Sequence, residues 1–179
     1  VFLIAVALAL GTATAWNTAQ ILWNTPTSLP AIQYGILAQC LFAFIGCVGF
    51  AIYFNIHGPG GLLCALGGFL SWAVYCISME LGSGEIVAYF WSALFASLYS
   101  EIMARIRKCP AISYLVVSIF PMIPGAGVYY TMNHAVQGNM ESFASQGGHT
   151  AAIAGVMAAG IVIASTIVRL LSGRIRKNK

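Results

Sequence analysis

No aspartate, glutamate, lysine or arginine stands before Glu80, and the charges that follow come in small groups. The only acids are Glu80, Glu85, Glu101 and Glu141, and all eight basic residues lie within 105–108 or 169–179. Between these groups the chain runs uncharged for long enough to cross a bilayer, which takes about 20 residues in a helix. A soluble domain would carry roughly a quarter of its residues charged to cover its surface. Here the share is 7%, with 60% hydrophobic residues and a mean hydropathy of +0.87.

The apolar runs and their breakers predict an all-α integral membrane protein, a bundle of five transmembrane helices with one additional amino-terminal hydrophobic helix. The first run covers 1–23 and ends in Asn24-Thr-Pro-Thr-Ser-Leu-Pro30, where two prolines deny a helix its hydrogen bonds. The other runs are Ala31–Ile56, Leu62–Met79, Ile86–Met103, Ala111–Met132 and Ala151–Leu171, with a polar loop expected from His134 to Thr150. This divides the chain into a helix and turn at 1–30 and a five-helix module at 31–179. The opening run lacks the basic flank of a secretory signal. Lysine and arginine favour the cytoplasmic side of a membrane. Both basic clusters fall there under one alternation of spans, which places the carboxyl terminus and 104–110 inside and 80–85 and 133–150 outside.

The same distribution excludes other classes. The net charge of +4 does not mark a nucleic-acid partner, because the basic residues directly follow apolar runs and do not form a face. Cys40, Cys47, Cys64, Cys76 and Cys109 make no C-x-x-C pair, and four lie inside apolar runs, so they read as small buried hydrophobes. The chain has no aspartate, hence no Ser-His-Asp triad, and it lacks the H-E-x-x-H, P-loop and G-x-S-x-G patterns. No enzyme, cofactor or metal is expected.

The fifth run carries the most unusual chemistry. In Phe120-Pro-Met-Ile-Pro-Gly-Ala-Gly127, Pro121 and Pro124 free backbone groups in mid-span, and Gly125 and Gly127 add backbone freedom and room for close approach. Such a break must be repaired by neighbours or must line a polar cavity. Discontinuous helices of this kind hold substrates in secondary transporters, and a structural kink is the plainer alternative. Tyr129, Tyr130, Asn133 and His134 follow the break, and Asn55 and His57 close the second run. They are candidates for the substrate path, against interfacial anchors and solvated loop residues. Glu101 stands four residues before Arg105, which suits either a local ion pair or a proton relay. Small residues at Ala151, Gly155 and Ala159, and at Gly67, Gly68 and Ser71, predict close helix packing.

Gly49-Phe-Ala-Ile-Tyr-Phe-Asn-Ile56, Glu101-Ile-Met-Ala-Arg-Ile-Arg-Lys-Cys-Pro-Ala111 and Ile119-Phe-Pro-Met-Ile-Pro-Gly125, with Tyr129 or Tyr130 and Met132, resemble the threonine/serine exporter family. The likeness is to its small YjjB-like half, the carboxyl-terminal exporter domain. It covers about residues 32–172, with P-x-x-P-G as its most specific element. The resemblance implies a five-helix module that acts with a larger YjjP-like half, separate or fused, in the inner membrane. It implies export of threonine and serine, or of dicarboxylates such as succinate, driven by the proton-motive force. On that reading residues 1–30 resemble the end of a fused larger half. A non-transporting assembly or stabilising subunit is the alternative. Membrane lipid, a small-molecule substrate and a second copy of the chain complete the expected partners.

Overall fold

The computed structural model describes Thr18, residues 34–56 and residues 58–177, with side chains as far as Leu170. Its elements are α1 (Ile36–Tyr53), α2 (Pro59–Glu80), α3 (Glu85–Arg107), α4 (Ala111–Ile119), a 3-10 turn (Phe120–Met122), α5 (Gly125–Val136) and α6 (Met140–Lys177). Helices α1, α2, α3 and α6 are each long and apolar enough to cross a membrane, and α4 with α5 counts as a fifth crossing if the broken pair is one span. No strand occurs among the described residues. The expected amino-terminal helix and turn at 1–30 lie outside them, apart from Thr18.

The punctuation has local causes. Helix α1 stops where Asn55 takes the left-handed backbone at φ 59°, a conformation asparagine tolerates better than most residues. Gly58 continues the turn at φ 69°, and Pro59 starts α2 with a fixed φ and no amide to waste. At the end of α3, Lys108 turns left-handed and the Cys109 N–H donates to the Ala104 carbonyl at 3.1 Å. Arg105 and Arg107 sit in that last turn, where cations complement the helix dipole.

One expectation needs correction. Residues 134–150 do not form a polar loop: α5 runs on to Val136, a short turn follows, and α6 begins at Met140. Gly138 makes the turn at φ 74°. Asn139 then starts the next helix by accepting the Ser142 N–H on its side chain at 3.1 Å, the ordinary capping contact. The last helix is therefore longer than the expected Ala151–Leu171.

The chain divides into two compact units, one holding Tyr34–Ile123 and the segment from Ile153 onward, the other holding Pro124–Ala152. In the first unit α2 packs against α1, α3 and α4. Lipid is as apolar as leucine, so helices there associate by close contact of small side chains and by hydrogen bonds. Accordingly α3 buries Ala88, Ser92, Ala93, Ala96, Ser97, Ser100 and Ala104, a stripe of small residues. Gly160 of α6 meets the α3 backbone so closely that a Cβ there would stand 3.0 Å from the Phe90 carbonyl oxygen. Large apolar side chains such as Leu37, Ile45 and Ile52 face outward, as lipid permits. In the second unit, Gly127 of α5 and Thr150 of α6 are in close approach.

Candidate functional site

Proline lacks the amide that would bond the carbonyl four residues earlier, so Pro121 strands Val117 and Pro124 strands Phe120. The backbone answers first. Helix α4 tightens into the 3-10 turn, so the Phe120 N–H reaches the Val117 oxygen and the Ile123 N–H reaches the Phe120 oxygen at 3.2 Å. Ile123 then goes extended at ψ 121°, Pro124 follows at φ −74° and ψ 59°, and α5 starts afresh at Gly125. The interruption expected at 121–125 is present.

Neighbouring helices complete the repair. Cys47 of α1 donates its thiol to the Val117 oxygen at 3.3 Å, and Ser71 of α2 donates its hydroxyl to the Ser118 oxygen at 2.8 Å. Ser118 donates to the Cys64 oxygen, and Ser92 of α3 reaches both the Ser71 carbonyl and the Met122 sulfur. Ser71, Ser92 and Ser118 are fully buried. Gly67 and Gly68 make this possible: a Cβ on Gly67 would collide with Ser118 Oγ and the Tyr99 ring, and one on Gly68 with Cys47 Sγ. The glycine pair lets α2 sit on the break closely enough for Ser71 and Cys47 to reach it.

The predicted residues separate into groups. Pro121 borders a groove of about 280 Å³ with Gln39, Phe42, Ala43 and Trp72. Asn55 lines a different cavity of about 280 Å³, between α1 and α2, with Val48, Ala51, Ile52, Ile56, Gly58, Gly61 and Leu62. Tyr129 and Tyr130 stand edge to face at 5.4 Å on α5, with Tyr130 exposed. Asn133 lies on the same helix, half-buried. Gly125 and Gly127 differ: a Cβ on Gly125 meets nothing within 4 Å, whereas one on Gly127 would stand 2.6 Å from Thr150 Oγ1. Neither glycine adopts a positive φ, so the expected backbone freedom is not drawn on. Close approach belongs to Gly127 alone. His57 lies outside the described residues.

Glu101 and Arg105 form the expected pair, with Nη1 of Arg105 2.6 Å from Oε2 of Glu101 and also bonded to the Glu101 carbonyl. The cysteines within the spans, Cys40, Cys47, Cys64 and Cys76, are buried and Cys109 is exposed; all five are free thiols. Among the described residues no group of histidines, cysteines and carboxylates is placed to hold a metal.

Sequence reasoning assigned Ser71 to packing and passed over Ser118, Ser92, Gln39 and Trp72. A signal existed for Trp72. Membrane tryptophans gather at the two interfaces, yet Trp72 stands about 12 Å inside the helix end at Glu80, at 1.5 Å per residue. Among the described residues its indole Nε1 is buried without a hydrogen-bond partner, a condition that only His134 Nδ1 shares there.

The described residues thus form a multi-span set of apolar helices whose broken helix is held by hydroxyl and thiol donors from adjacent helices. Residues 39–167 match the family described as Threonine/Serine exporter, ThrE, and the chain belongs to that family. No solved structure matches it.

Proposed function

We propose that this chain is the small half of a secondary transporter that exports threonine and serine, or dicarboxylates such as succinate, together with a larger exporter half. The observation that carries the reading is the family match over 39–167, which contains the whole broken helix. The second half of that span restarts at Gly125, an exposed helix start with free amides. Such an end is partly positive and suits the carboxylate that serine, threonine and succinate all possess.

In this reading the proton-motive force drives export, the Glu101–Arg105 pair marks the cytoplasmic end of α3, and the carboxyl terminus is cytoplasmic. The protein resides in the inner membrane. The deciding experiment measures efflux of radiolabelled serine, threonine and succinate from cells that express the chain with and without the larger half. Efflux of at least one substrate that needs both halves is expected; none with both present refutes transport.

The second reading is an assembly or stabilising subunit. The dry sealing of the Val117 and Ser118 carbonyls by Cys47 and Ser71 favours it, since those groups serve packing and not a water-filled path. Full efflux by the larger half alone, with its abundance lowered when this chain is absent, would select it.

A further inference from the structure

We propose that the groove lined by Gln39, Phe42, Ala43, Trp72 and Pro121 is a subsite for the carboxylate of a small amino acid, with the Trp72 indole N–H as its donor. The inference rests on the transport reading above and names where in this half the substrate is recognised.

An unpaired donor in a membrane interior is unusual, because neither water nor headgroups can reach it. The polar groups around Trp72 do not serve it. Ser71 Oγ donates to the carbonyls of Gly67, Gly68 and Ser118, and Ser92 Oγ to Ser71 and Met122, and neither oxygen accepts from the indole. The Trp72 ring packs tilted against Tyr75 at 4.9 Å, and Tyr75 against Tyr89 at 4.8 Å, which restrains the indole. The side chain that carries this donor also lines the groove.

The groove has the contents such a ligand needs. At about 280 Å³ it is large enough for a small amino acid, though smaller than most drug-sized sites. Gln39 brings an amide to its wall, already oriented by donating to the Tyr34 carbonyl at 2.8 Å and accepting from Cys76. Phe42 and Trp72 bring aromatic faces, which attract an ammonium group. Phe42 is 57% exposed, a side chain with room to move aside and admit the ligand to the indole edge. Pro121 places the groove at the helix break, where α4 gives way to α5. A carboxylate accepting from an indole N–H gains a charge-assisted bond.

The test uses membrane vesicles from cells that express the complete exporter. Trp72→Phe keeps an aromatic ring and removes the pyrrole half of the indole together with its N–H. The expected result is a KM for threonine raised about 10-fold or more, the range for losing a hydrogen bond to a charged group, with maximal rate and membrane abundance close to those of the parent. An unchanged KM overturns the subsite. If Trp72→Phe fails to reach the membrane, Ala43→Cys in a Cys109→Ser background decides. Threonine should slow maleimide labelling at position 43 and threonine amide, which lacks the carboxylate, should not; equal protection by both, or by neither, overturns the proposal. Parent vesicles that move none of serine, threonine and succinate refute transport itself, and the subsite with it.

Discussion

Gly67, Gly127 and Gly125 are chemically the same and structurally different, and substitution separates them. Alanine at Gly67 must displace Ser118 and Tyr99, and alanine at Gly127 must displace Thr150. Each is expected to lower stability by about 1–3 kcal/mol, the usual cost of overpacking. Gly125→Ala meets open space and should stay within about 1 kcal/mol of the parent. Unfolding midpoints in mild detergent titrated with a denaturing one check all three. Since Gly125→Ala leaves the fold intact, a strong loss of efflux in that variant would report substrate contact at the start of α5; normal efflux would remove Gly125 from the path. Ser71→Ala leaves the Ser118 carbonyl without its donor and should cost about 1–2 kcal/mol by the same assay. The Glu101–Arg105 pair, one turn apart on a helix and partly exposed, contributes no more than about 0.5 kcal/mol. Glu101→Gln should therefore keep its abundance while flattening the dependence of efflux on the proton gradient; an unaltered gradient dependence would leave the pair a structural contact.

At the scale of elements, the break in the fifth run was legible because proline acts locally: two missing amides within a few residues dictate an interruption whatever surrounds them. Its repair was not legible. Which donors serve Val117 and Ser118 depends on the faces α1 and α2 turn toward α4, and a run apolar all round gives no periodicity from which to read those faces. The small residues Gly67, Gly68 and Ser71 announced close packing without naming the partner helix. The segment after His134 was misread for another reason. Its polar composition suggested a loop, while the decisive signal was a single capping residue, Asn139, ahead of the helix formers Met140, Glu141, Ala144 and Gln146. The same local logic supplies a prediction: Pro121→Ala with Pro124→Ala restores both amides and should reform a continuous helix. Amide exchange at Ile123 to Gly125 should slow, and efflux should fall although the protein remains in the membrane. Efflux unchanged in a demonstrably continuous helix would show that the break is dispensable.

At the scale of the whole molecule, orientation is tested by Ser145→Cys, in the first turns of α6 and accessible from outside under the proposed topology. Labelling of intact cells by an impermeant maleimide is expected, and protection would invert the arrangement. The hydroxyls inside the first unit also bear on energy coupling. Ser71, Ser97, Ser100, Ser118 and Tyr99 each end their hydrogen bond on a backbone carbonyl, and Ser92 ends its own on a carbonyl and a thioether. A proton hops only through groups that accept one hydrogen while releasing another, and a carbonyl or thioether has none to release. These six side chains are thus an insulator laid between the helices, each a wire that ends. Under the proposed proton-driven export, the current runs elsewhere, along the Glu101 end of α3 or through the proposed companion half.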